Sequence, residues 1–136
     1  MKARGTFTVT KFQPIRPAIT ESIITAMPVS VSTMEKTFSG EISGRSKTVF
    51  TAAFDQSSGV GSYVAMESFE GTLAGRAGTF NFLHSASTKG SDRANEFLAI
   101  VEGSGTAELA GIAGSGRMAV DADGSHHLEF DFRLPG

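Results

Sequence analysis

Phe69-Glu70-Gly71-Thr72-Leu73-Ala74-Gly75-Arg76 repeats an earlier stretch, Phe38-Ser39-Gly40-Glu41-Ile42-Ser43-Gly44-Arg45, almost residue for residue. A looser third copy is Thr106-Ala107-Glu108-Leu109-Ala110-Gly111. Paired glycines with an apolar residue between them mark one β-structural device used repeatedly. Glycine relieves crowding where a strand bends and supplies positive φ in the turn that follows. The device predicts a small curved antiparallel barrel. It carries no chemistry of its own.

The rest of the chain agrees with that reading. Phe7, Val9 and Lys11 alternate with Thr6, Thr8 and Thr10, so a strand opens the chain. Strands are predicted over 29–39, 47–55, 62–73, 77–88, 94–102 and 125–134, with two short ones around Ala110–Gly114. Gln56–Gly61 reads as a hairpin loop. Residues 14–28, with Pro14, Pro17 and Pro28 around Ile19, Ile23, Ile24 and Met27, are the one irregular stretch. They suit either a turn or two of helix or an apolar loop over a barrel end. Both faces of 94–102 are apolar: Phe97, Ala99 and Val101 on one, Leu98 and Ile100 on the other. That pattern predicts a central strand or a subunit contact, and hence a homo-oligomer. Eight or nine strands at hairpin spacing give an all-β fold. It is a closed antiparallel β-barrel of about eight strands, lipocalin-like in architecture, in a single domain over residues 1–136.

Composition narrows the function classes. The 136 residues include 11 Phe, 16 Gly and no cysteine, so disulfides, thiolate catalysis and cysteine-based zinc sites are excluded. A net charge of −2 with scattered Lys and Arg argues against a nucleic-acid partner. No apolar run approaches the ~20 residues of a membrane span or follows the start as a signal peptide. A cytoplasmic protein without a membrane partner is expected.

Three segments resemble, in order, the hairpin signatures of an uncharacterised bacterial domain family, a domain of unknown function. They are Thr37–Gly44, Glu67–Phe80 followed by His84-Ser85, and Gly103–Gly111. The resemblance covers about residues 29–134. It implies an eight-stranded barrel similar to allene oxide cyclase, a fold that includes plant oxylipin cyclases and bacterial polyketide cyclases. It implies no activity. The segment before residue 29 matches least and is placed to be a lid.

Glu67 and His84 form the best chemical pair. Glu67 shares a strand face with Ala65 and Phe69, and His84 shares one with Phe80 and Phe82. If both faces turn inward, a carboxylate and an imidazole meet in a Phe-lined cavity, where desolvation moves both pKa values toward neutrality. Lys36 occupies the repeat position equivalent to Glu67, which allows an interior ion pair. Phe50, Phe54, Phe69, Phe80, Phe82, Phe97 and Phe130 are the candidate ligand-lining rings, with Lys36 and His126 as further polar contacts. His126 and His127 point to opposite faces and cannot share one ion; no metal and no cofactor are expected. Arg45, Arg76 and Arg117 follow turns and would gather at a rim if the hairpins align. Gly114-Ser115-Gly116-Arg117-Met118-Ala119 fits a dinucleotide fingerprint formally but lacks the helix and the later acidic residue.

Three functions suit such a barrel. The first is a container for a small apolar ligand. The second is a cyclase or isomerase using Glu67 and His84 on a flexible apolar substrate. The third is a structural protein with a filled core that assembles through 94–102.

Overall fold

The computed structural model describes residues 1–15 and 23–136. Eight antiparallel strands follow one another around a closed ring: β1 (Lys2–Pro14), β2 (Ser30–Gly40), β3 (Ile42–Asp55), β4 (Val60–Leu73), β5 (Arg76–Lys89), β6 (Asp92–Ile100), β7 (Ala113–Val120) and β8 (His126–Arg133). β1 closes the ring by pairing with β8 through Lys2↔Asp131 to Phe7↔His126. Eight strands fall within the expected eight or nine, but of the two short strands expected around Ala110–Gly114 only β7 forms; a 3₁₀ turn, Ala107–Leu109, stands before it. Pro17 and Ile19 lie outside the described residues, and residues 23–29 carry no helical turn.

The repeated glycines sit opposite one another. Gly44 on β3 faces Gly71 on β4, which faces Gly78 on β5. A Cβ on Gly44 would stand 2.8 Å from the Gly71 Cα, and one on Gly71 the same distance from the Gly44 Cα. The backbones therefore approach more closely than any side chain allows, and the sheet bends there. The following β4–β5 turn uses positive φ at Ala74 and Gly75, the conformation of a tight hairpin turn.

Two bulges change which residues face inward. One falls between Val9 and Lys11, so Phe7 and Val9 face in before it and Phe12 and Pro14 after it. Lys11, expected on the face of Phe7, instead pairs with outward Glu35 at 3.9 Å. The second lies where β6 crosses β5 between Ser85 and Ser87, with Asn95 at φ 55°. β6 and β7 share one register pair, Ala99↔Ser115. Side chains bridge the rest of that seam: Arg93 Nη1 donates to the Met118 carbonyl at 3.3 Å, and the Met118 N–H donates to Glu96 Oε1 at 3.4 Å.

The two ends of the barrel differ. At the end bearing the β2–β3 and β4–β5 turns, Phe38, Ile42, Phe69, Leu73, Phe80, Phe82, Phe130 and Phe132 fill the interior. Leu109, on the 3₁₀ turn Ala107–Leu109, and Ile112 plug the bottom. Rings meet edge-on, as in Phe80–Phe130 and Phe82–Phe130 with centroids 5.5 and 5.2 Å apart. Burying each of these large side chains stabilises the fold by roughly 1.5–3 kcal/mol.

Candidate functional site

At the other end the inward rows carry small residues. Register places Ser32, Phe50, Ala65 and His84 side by side in one row, and Ser30, Ala52, Tyr63 and Ala86 in the next. Five of these eight side chains are Ser or Ala, too short to meet across the barrel, and a cavity of about 610 Å³ results. Phe12, Pro14, Pro28, Phe50, Ala52, Phe54 and Tyr63 form its apolar walls, with Ser30, Ser32, Gln56, Ser62 and Thr88 between them. Pro28 belongs to the segment expected as a lid.

A polar layer separates this cavity from the packed end. Lys36 Nζ donates to Glu67 Oε1 at 2.8 Å, and Ser46 Oγ donates to Glu67 Oε2 at 2.6 Å. Glu67 is 1% exposed and Lys36 7%. The ammonium also lies 4.9 Å from the Phe7 ring centroid, a cation–π contact. The ion pair suggested by the repeat positions is present. Beside it, Thr48 Oγ1 is buried with no hydrogen-bond partner among the described residues.

His84 belongs to a different group. Its Nε2 lies 2.8 Å from Glu96 Oε2, and both ring nitrogens lie 3.5 Å from the Tyr63 hydroxyl. Burial lowers the His84 pKa, and the hydrogen bond to Glu96 partly offsets this. Burial also raises the Tyr63 pKa, with Arg93 pulling the other way. Glu67 and His84 both face inward on neighbouring strands, yet each is committed to other partners.

The remaining candidates are dispersed. Phe50 and Phe54 line the cavity. Phe69, Phe80, Phe82 and Phe130 belong to the packed end and touch one another instead. Phe97 is 55% exposed on the outer wall, because Leu98 and Ile100 take the inward positions of β6. His126 is exposed at the start of β8, its ring 5.6 Å from Phe7, and lines no part of the cavity. The His127 side chain is 3.1 Å from Asp121 and 12% exposed. Arg45 and Arg117 pair with Glu70 and Glu129 on separate walls, so they form no common rim. No cluster of three or more metal-ligating side chains occurs among the described residues, and no helix there is long and apolar enough to cross a membrane.

Tyr63 and Glu96 were not singled out from sequence. Tyr63 had a usable signal, since alternation puts it on the face of Ala65 and Glu67. Glu96 had none, because the bulge at Asn95 carries no glycine or proline to announce it.

The family model described as "Protein of unknown function (DUF3224)" matches residues 3–132. The chain belongs to the DUF3224 family. Among solved structures it is similar to a DUF3224 protein of unknown function from Shewanella oneidensis MR-1. The two are 29% identical with a TM-score of 0.86, over 100% of this chain and 98% of that one. No curated protein matches. The DUF3224 match spans the packed end and the cavity-bearing end alike.

Proposed function

We propose that the protein binds a small, predominantly apolar molecule in the cavity at the open end of its barrel. The observation that carries this reading is the cavity itself: about 610 Å³, walled by aromatic and proline side chains, beside an otherwise well-filled interior. That volume falls within the usual range of ligand sites, roughly 300–1,000 Å³. Titration with the uncharged fluorophore N-phenyl-1-naphthylamine tests it. Saturable fluorescence enhancement is expected, and Ala52→Trp, which fills the cavity from β3, should weaken it at least tenfold while the fold is kept. No saturation, or full binding by Ala52→Trp, would refute the reading.

Catalysis by a Glu67–His84 pair draws less support. Both Glu67 oxygens are engaged by Lys36 and Ser46, and His84 turns to Glu96.

Assembly draws on a separate observation, the outer wall. There Val49, Met66, Leu83 and Ala99 stand in one row and Thr51, Val64, Ser85 and Phe97 in the next. Val49, Val64, Met66 and Phe97 are exposed, and no residue of either row is charged. A two-fold interface sets a patch against its own copy, so an uncharged apolar patch meets no like-charge repulsion. The occupant inferred for this face is a second copy of the chain. Sedimentation equilibrium is expected to give a dimer, and Met66→Glu with Phe97→Glu a monomer. A wild-type protein that stays monomeric at high micromolar concentration would refute it.

A further inference from the structure

The cavity contains one phenol, and its hydroxyl is poorly satisfied. Tyr63 is the sole tyrosine of the chain. Its ring is fixed on two sides, stacked on Phe50 at 5.1 Å and edge-on to His84 at 5.2 Å. Its row neighbours Ser30, Ala52 and Ala86 are too short to reach over it. Among the described residues the hydroxyl hydrogen bonds only to the His84 ring nitrogens, both at 3.5 Å, whereas a good O–H···O bond is about 2.7–2.8 Å.

The chemistry behind His84 fixes the polarity of this contact. An ionised carboxylate can only accept, so at 2.8 Å from Glu96 it is Nε2 that carries the proton. Nδ1 is then the acceptor for the phenol, at a stretched distance. A ligand oxygen at normal distance competes successfully for that proton. Burial holds the phenol in its protonated, donating form. Arg93 and Glu96, the charges that act on the phenol, pair with each other at 3.7 Å, so their effects on it partly offset, with Arg93 the larger. The mostly apolar walls make burying a charged ligand costly, so they favour a neutral acceptor over a carboxylate.

We propose that Tyr63 is the polar anchor of the cavity, donating its hydroxyl proton to the carbonyl oxygen of an uncharged apolar ligand such as a ketone, aldehyde or ester. This rests on the cavity-binding reading, and the two separate in one experiment. 2-Acetylnaphthalene and 2-ethylnaphthalene share a shape and differ in the carbonyl; each is titrated as a competitor of the bound fluorophore. A hydrogen bond worth about 1–1.5 kcal/mol corresponds to roughly tenfold tighter binding of the ketone. Tyr63→Phe should erase that preference, so that ketone and hydrocarbon compete equally. The bound ketone's carbonyl stretch should shift to lower wavenumber in the wild type and return in Tyr63→Phe. Equal affinities in both proteins, with no infrared shift, would overturn the anchor while leaving the cavity reading intact. Absence of fluorophore binding and of any competition would overturn both.

Discussion

The two ends of the barrel are built from the same strands, yet one is solid and the other hollow. In the packed end the inward positions hold Phe38, Phe69, Phe80, Phe82, Phe130 and Phe132. In the other they hold Ser30, Ser32, Ala52, Ala65 and Ala86 beside Phe50 and Tyr63. Strand geometry fixes the diameter, and side-chain volume alone decides whether the inside fills. Stability is concentrated in one end, which leaves the other free to hold something else.

The largest effects should expose that division. Phe130→Ala removes a ring packed among Phe80 and Phe82 and is expected to lose about 3–5 kcal/mol in urea denaturation. Phe50→Ala, at the cavity wall, should lose clearly less while reducing fluorophore binding. Equal losses would mean the two ends are not energetically distinct.

The polar layer between them comes next. Glu67→Ala strands the buried Lys36 ammonium and should destabilise by a comparable 3–5 kcal/mol. The double variant Lys36→Met with Glu67→Leu should recover most of that loss, since both charges go together. If the double variant is as unstable as Glu67→Ala, the layer is stabilised by something other than the pair.

A smaller, graded effect belongs to His84. Its pKa is lowered in the folded protein, so below the unfolded value near 6.5 the unfolded chain takes up a proton that the folded chain refuses. Stability should therefore fall as pH drops through 6.5 and level off once the folded-state pKa is passed. The slope from this one group is at most about 1.4 kcal/mol per pH unit. Denaturation midpoints between pH 7.5 and 5 measure it, and His84→Gln should flatten the curve. A slope that survives in His84→Gln would assign it elsewhere.

The strand count, the glycine-marked bends and the Lys36–Glu67 pairing were legible in the sequence because each rests on a local pattern or a repeat. Which Phe rings line the cavity was not. That follows from cross-strand register, which sets Ala52 beside Tyr63 and Ala65 beside His84. Phe97 shows the limit clearly. Alternation separated it correctly from Leu98 and Ile100, but with both faces apolar nothing local says which one turns inward. The bulges at Thr10 and Asn95 shift parity without any glycine or proline at the site, and they set the directions of Lys11 and Glu96.

The joint between β6 and β7 remains thin: one register pair, reinforced by Arg93 and Glu96. Glu96 thus holds a neighbouring strand with one oxygen and the imidazole with the other. A single carboxylate serves as both latch and wire, so any event that tugs on the histidine is felt directly by the stave most easily pried from the cask.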